Sequence, residues 1–192
     1  KKSEVTTQMI LGDSFAILNN YDKWLKIKIK NDNYVGFVRK KKFSNFSKPT
    51  HKVVTLNAKI YKKPNFKSYS GKVTFGSKIK ALNKLSKFTK YNNNWIETKN
   101  LKTINYRNKD VFFKVKMFKN IKYKWGGKTF KGLDCSALVQ LFFNINNKFC
   151  PRDANDQIKF FKKNINLKNI RKNDIIYWKG HVAIALSNKK LI

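Results

Sequence analysis

A thiol stands where the loop Gly132-Leu133-Asp134 gives way to the apolar run Cys135-Ser136-Ala137-Leu138-Val139-Gln140. At a helix start the first N–H groups have no partner within the helix, and the positive end of the helix dipole lies close. Both favour thiolate over thiol, and thiolate is the form that attacks. Acyl transfer by such a nucleophile also needs a base. The chain has two histidines, His51 and His181. His181 opens the run His181-Val182-Ala183-Ile184-Ala185-Leu186, which reads as a buried strand. An imidazole at the end of a core strand is held rigidly and can face a cleft. His51, beside Thr50 and Lys52, reads as a surface linker residue. Cys135 is therefore the candidate nucleophile and His181 the candidate base. Cys150, between Phe149 and Pro151, reads as a small buried side chain.

The elements that must position these two groups are also legible. A helix opening at Cys135 is apolar at Leu138, Val139, Leu141, Phe142 and Phe143, and Asn146-Asn147 ends it. Pro151-Arg152-Asp153-Ala154 starts a second helix, with Ile158, Phe160 and Phe161 as its expected apolar face. Asp174 to Trp178 and His181 to Leu186 are adjacent strands joined through Lys179-Gly180. Upstream, Val111, Val115, Phe118 and Ile121 recur at helical spacing and predict a helix to about Asn120, followed by the loop Tyr123-Lys124-Trp125-Gly126-Gly127.

The first hundred residues contain a repeat. Gly12-Asp13-Ser14-Phe15-Ala16-Ile17-Leu18 leads to Trp24-Leu25-Lys26-Ile27-Lys28-Ile29, and Gly76-Ser77-Lys78-Ile79-Lys80-Ala81-Leu82 leads to Trp95-Ile96-Glu97-Thr98. Period-two alternation implies sheets with one wet face, and segments this short imply small barrels. Asn31-Asp32-Asn33 reads as a turn into the strand Tyr34 to Val38. Trp24 and Trp95 are expected as core anchors.

The doubled pattern resembles bacterial SH3 domains. Together with Tyr123-x-Trp125-Gly126-Gly127, Asp134-Cys135-Ser136, Pro151-Arg152-Asp153 with Gln157, and Asp174 to Trp178 followed by His181-Val182-Ala183, it resembles NlpC/P60 cysteine peptidases with two N-terminal SH3 domains. The implied fold class is α+β: SH3-like β-barrels over residues 1–50 and 51–108, then a papain-like NlpC/P60 α+β domain over 109–192, truncated at its C-terminus. The implied activity is hydrolysis of the γ-D-glutamyl–diamino acid amide bond of murein stem peptides, with Cys135 as nucleophile and His181 as base. Peptides with a free N-terminal L-Ala are the implied substrate. Asp134 and Ser136 would grip that amine, Tyr123 would line the site and Asp153 would contribute from the next helix, with Asp13 as a further candidate from the first barrel. The family's third polar residue, normally His, falls about a dozen positions after the catalytic histidine, so it is expected beyond Ile192. An alternative is a peptidoglycan-binding SH3 module whose hydrolase domain is inactive or truncated.

The residues themselves leave other roles open. Asp134 fits equally well as a helix N-cap, Ser136 as a first-turn residue, Tyr123 as a core aromatic and Asp153 as a first-turn carboxylate stabilised by the dipole. Ala137 and Ala154 stand where relatives often carry Gly and Ser, and Asn173 stands where Gly is common; Asn tolerates that turn geometry.

The formal charge is +34, with 44 basic and 10 acidic residues. Only four of the basic residues, Arg39, Arg107, Arg152 and Arg171, are arginines, and the lysines are spread over the chain. Recognition of phosphates or bases prefers arginine in local clusters, so no specific nucleic-acid partner is expected; lysine together with plentiful Asn, Ile, Phe and Tyr fits an AT-rich coding sequence. No apolar stretch has the roughly 18 to 20 residues needed to cross a bilayer, and no signal-peptide core follows Lys1-Lys2-Ser3-Glu4. Two cysteines are too few for a disulfide framework. A reducing compartment is expected, the cytoplasm in the first instance with the periplasm as alternative, and neither metal nor cofactor is implied.

Overall fold

The computed structural model describes residues 3–162 and 164–192; Lys1 and Lys2, at the start of the expected first barrel, lie outside the described residues. The architecture is α+β. Contacts divide it into two compact units: Met9–Tyr106, and Arg107–Ile192 together with the described residues that precede Met9.

In the unit Met9–Tyr106, β1 (Phe15–Asn20), β2 (Trp24–Ile29) and β3 (Val35–Arg39) form an antiparallel meander in that order. Alternation along β2 turns Leu25, Ile27 and Ile29 inward, where Met9, Phe15, Tyr34, Val38 and Phe43 cover them. The expected turn is present: Asp32 Oδ1 accepts the Tyr34 N–H at 3.0 Å and Asn33 adopts φ +61°. Trp24 is not a core anchor. It lies one step from Leu25, so the same alternation that buries Leu25 puts Trp24 on the outer face, where it is 36% exposed under the Arg39 guanidinium at 5.5 Å. Trp95 is likewise only half-buried, because Ile96 beside it takes the core position.

The strands that follow are β4 (His51–Val53), β5 (Asn57–Tyr61), β6 (Tyr69–Thr74), β7 (Lys78–Ile79), β8 (Lys84–Leu85), β9 (Phe88–Tyr91), β10 (Asn94–Glu97) and β11 (Leu101–Thr103). They make a five-stranded sheet in the order β6-β5-β10-β9-β8 and a three-stranded sheet in the order β11-β4-β7. Val53, Ala58, Ile79, Tyr91, Ile96 and Leu101 form their shared core. His51 is the first residue of β4 rather than a linker residue. The two repeats are joined closely at Gly12. Its φ is +89°, a side chain there would come within 2.4 Å of the Lys78 carbonyl oxygen, and the Lys78 N–H donates to the Leu11 carbonyl at 2.8 Å.

In the other unit the expected helix ending near Asn120 is only a 3-10 turn over Val115–Phe118. Asp110 Oδ1 holds the Phe112 N–H at 3.0 Å and Lys114 takes a left-handed φ of +59°, so the backbone turns instead of continuing. The apolar spacing still reaches the core: Phe112 and Phe118 meet Phe142 edge to face at 5.8 and 5.7 Å. The short hairpin β12 (Lys128–Thr129) and β13 (Gly132–Leu133) leads into α1 (Cys135–Ile145), which ends at Asn146 and at Asn147 with φ +56°. The second helix, α2, spans Ala154–Phe160. Its inward residue is the fully buried Gln157, whereas Ile158 and Phe160 remain 49% and 46% exposed, so the expected apolar face is not the buried one. The hairpin β14 (Ile175–Trp178) and β15 (His181–Ile184) turns at Lys179-Gly180, and β15 packs Val182, Ala183 and Ile184 against α1. Asn173, before β14, has φ +76°, the turn geometry its amide tolerates.

Candidate active site

Cys135 is the first residue of α1 and is half-buried, with a free thiol. What fixes the helix start is Asp134, the N-cap: its Oδ1 accepts the Ala137 N–H at 2.8 Å. A cap of this kind stabilises a helix by about 1 kcal/mol. The loop before it closes through Gly126, whose φ of +69° and approach to the Val5 carbonyl oxygen, 2.2 Å from where a Cβ would sit, exclude any side chain.

Asp134 does more than cap. Arg152 grips it bidentately, Nη1 to Oδ1 at 3.0 Å and Nη2 to Oδ2 at 2.5 Å. The same Nη1 donates to Ser136 Oγ at 3.0 Å, and the Ser136 hydroxyl donates to Asp134 Oδ1 at 3.3 Å. The remaining guanidinium edge is also used, since Nε donates to Thr7 Oγ1 at 2.8 Å. The Arg152 side chain is 1% exposed. Removing one partner of such a buried, fully hydrogen-bonded pair strands a charge and typically costs about 3–5 kcal/mol. Arg152 had no role in the sequence reading, although a signal was there. In a chain whose cations are nearly all lysine, an arginine inside a motif marks a place where a planar, forked donor is needed.

Of the expected site residues, Tyr123, Asp134, Cys135 and Ser136 are brought together. Tyr123 bridges to Leu133 and is 60% exposed. Its phenol is shifted above the ordinary tyrosine value, first by partial burial and then by the negative charge available at Cys135 and Asp134, against a smaller opposing effect of Arg152. His181 opens β15 at its exposed end, with its ring 5.9 Å from that of Trp178, on the strand that packs against α1. Asp153 is the N-cap residue of α2, half-buried and next in sequence to Arg152; its side chain makes no capping hydrogen bond. Asp13 belongs to the other unit, where it holds the Ile10 N–H at 2.9 Å and the Asn31 amide at 2.5 Å. Cys150 is fully buried, as expected, and its carbonyl oxygen accepts from Gln140 Nε2 at 3.1 Å.

Residues 120–192 match the NlpC/P60 family, and residues 1–43 match the bacterial dipeptidyl-peptidase SH3 domain. The chain is thus similar to NlpC/P60 family proteins over residues 120–192. Its fold resembles that of an NlpC/P60 family protein from Bacillus cereus ATCC 10987, with a TM-score of 0.82 at 20% identity over 97% of this chain and 72% of that one. Dipeptidyl-peptidase 6 of Lysinibacillus sphaericus is 38% identical over 64 residues, which is 33% of this chain and 24% of that protein. Gamma-D-glutamyl-L-lysine dipeptidyl-peptidase of Bacillus subtilis strain 168 is 31% identical over 83 residues, 39% of this chain and 28% of that protein. The matches thus span about a quarter of the length of these two relatives. The NlpC/P60 match contains every expected site residue except Asp13.

Proposed function

We propose that the chain is a cysteine peptidase that hydrolyses the γ-D-glutamyl–diamino acid amide bond of short murein peptides with a free N-terminal L-Ala. The observation that carries this reading is the half-buried thiol at the start of α1, with Tyr123, Asp134 and Ser136 gathered around it. Both curated relatives are named dipeptidyl-peptidases, and the second is named for the γ-D-glutamyl-L-lysine bond, which supports this reading. In this mechanism the Cys135 thiolate adds to the γ-glutamyl carbonyl carbon, and N–H groups at the start of α1 hold the oxyanion. As the C–N bond breaks, His181 protonates the leaving amine; it then takes a proton from the water that attacks the thioester and releases the acyl group as a carboxylate. Tyr123, Asp134, Ser136 and Asp153 form the pocket for the amino end.

The test is chromatographic detection of L-Ala-γ-D-Glu and free diamino acid from the tripeptides ending in L-lysine and in diaminopimelate. The reading expects Cys135→Ala to abolish release, His181→Ala to slow it by at least about a hundredfold, and N-acetylation of the peptide to reduce cleavage strongly. Unchanged release by Cys135→Ala overturns the reading.

A further inference from the structure

We propose that Arg152, held in plane by Thr7, is the positioning residue of the site: it clamps Asp134 and Ser136, the two neighbours of Cys135, and cancels the carboxylate charge beside the sulfur. The proposal rests on the reading of Cys135 as nucleophile and extends it to a residue that touches neither substrate nor the reacting atoms.

The geometry supports it in three steps. First, the guanidinium is hydrogen-bonded on both edges. Its two Nη atoms reach Asp134 and Ser136, and its Nε reaches Thr7, so its orientation is fixed at 2.5 to 3.0 Å on each side. Second, the segment that supplies Thr7 is itself anchored in this unit. Gln8 Oε1 accepts the Lys128 N–H at 3.0 Å, and the Val5 carbonyl oxygen lies against Gly126. Residues 5–8 therefore act as a strap tied to Gly126, Lys128 and Arg152. Third, without Arg152 an unneutralised carboxylate would lie one residue from the thiol, and like charge disfavours thiolate.

The charged and titratable groups beside Cys135 are Asp134 at its own helix start, Arg152 before α2 and Tyr123 from the preceding loop; β15, the strand packed on α1, carries His181 as its first residue. Asp134, whose oxygens accept from Arg152, Ser136 and Ala137, then fixes the nucleophile's helix start as well as lining the pocket for the amino end.

Iodoacetamide alkylation of the intact protein across pH, read peptide by peptide by mass spectrometry, tests this. Cys150, fully buried, reports unfolding if it becomes labelled. Arg152→Met should raise the pH midpoint of Cys135 labelling and lower its rate at pH 7 about tenfold, with Cys150 still protected. Arg152→Lys, which keeps charge but not the fork, should fall between. Thr7→Val should move the midpoint the same way by a smaller amount, and Thr7→Ser should restore it. Arg152→Met combined with Asp134→Asn should return the midpoint toward wild type, because the stranded charge is gone. A merely structural arginine would show no such rescue.

Coincident midpoints for wild type, Arg152→Lys and Thr7→Val overturn the proposal, and these two milder variants decide if Arg152→Met labels at Cys150. A wild-type midpoint at the ordinary thiol value of about 8.5 counts instead against Cys135 as an activated nucleophile, whatever the variants do.

Discussion

At the residue scale, the site is a set of polar side chains whose partners leave little freedom. Asp134 was readable either as a cap or as a substrate ligand, and the hydrogen bond to Ala137 establishes the first role while Arg152 occupies much of what remains. Tyr123 is the more exposed member, and its neighbours carry a testable electrostatic consequence. Its phenol lies above the ordinary value of 10.0, because partial burial and the negative charges nearby both resist phenolate formation. The sign is that of an acid whose neutral form is favoured, so Tyr123 is protonated and able to donate a hydrogen bond at neutral pH. The difference in absorbance at 295 nm between wild type and Tyr123→Phe during alkaline titration should therefore have its midpoint above 10. A midpoint below 10 would contradict this combination of partial burial and nearby negative charge. In peptide hydrolysis the same substitution should raise KM severalfold and leave the labelling rate of Cys135 within about a factor of two.

At the element scale, what holds α1, α2 and β14 in register is one buried amide. Gln157 Nε2 donates to the Ser136 and Pro151 carbonyl oxygens, both at 2.9 Å, and its Oε1 accepts from the Tyr177 hydroxyl at 3.3 Å. Because Gln157 is fully buried, its removal takes a hydrogen-bond partner from two carbonyl oxygens and a hydroxyl. Gln157→Leu should destabilise by about 2–4 kcal/mol, measured by urea unfolding, and Gln157→Ala by at least as much because a cavity is added; a change under about 0.5 kcal/mol would mean that water replaces the amide without loss. This residue also shows where the sequence was and was not readable. The start and stop of α1 and the β14–β15 hairpin follow from local signals: a capping aspartate, paired asparagines and a Lys-Gly turn. The inward face of α2 does not, because apolar periodicity points to Ile158 and Phe160 while a polar residue with three partners takes the buried position. The 3-10 turn over Val115–Phe118 was misread for a related reason. Helical spacing of apolar residues reports which side chains are buried, and a left-handed Lys114 can present the same side chains without a helix. Trp24 was misplaced because size suggested burial, whereas its one-step offset from Leu25 decides its face.

At the scale of the whole molecule, the formal charge of +34 is carried mostly by exposed lysines spread over both units, while two of the four arginines have specific partners in Asp134 and the Trp24 ring. A distributed lysine surface attracts any polyanion through counterion release and has no means of reading sequence, since bidentate base recognition is arginine's. The protein should therefore bind a random 30-base-pair duplex and a scrambled copy equally, and lose about a hundredfold or more of that affinity between 50 and 200 mM salt. The same salt should raise its unfolding temperature, because self-repulsion of excess positive charge is screened over a Debye length of about 8–10 Å. Fluorescence anisotropy titrations at several salt concentrations, paired with thermal melts in the same buffers, measure both. Binding that persists at 1 M salt, or that distinguishes the two duplexes, would require a dedicated nucleic-acid site and would contradict the view that these lysines act only as a diffuse charge.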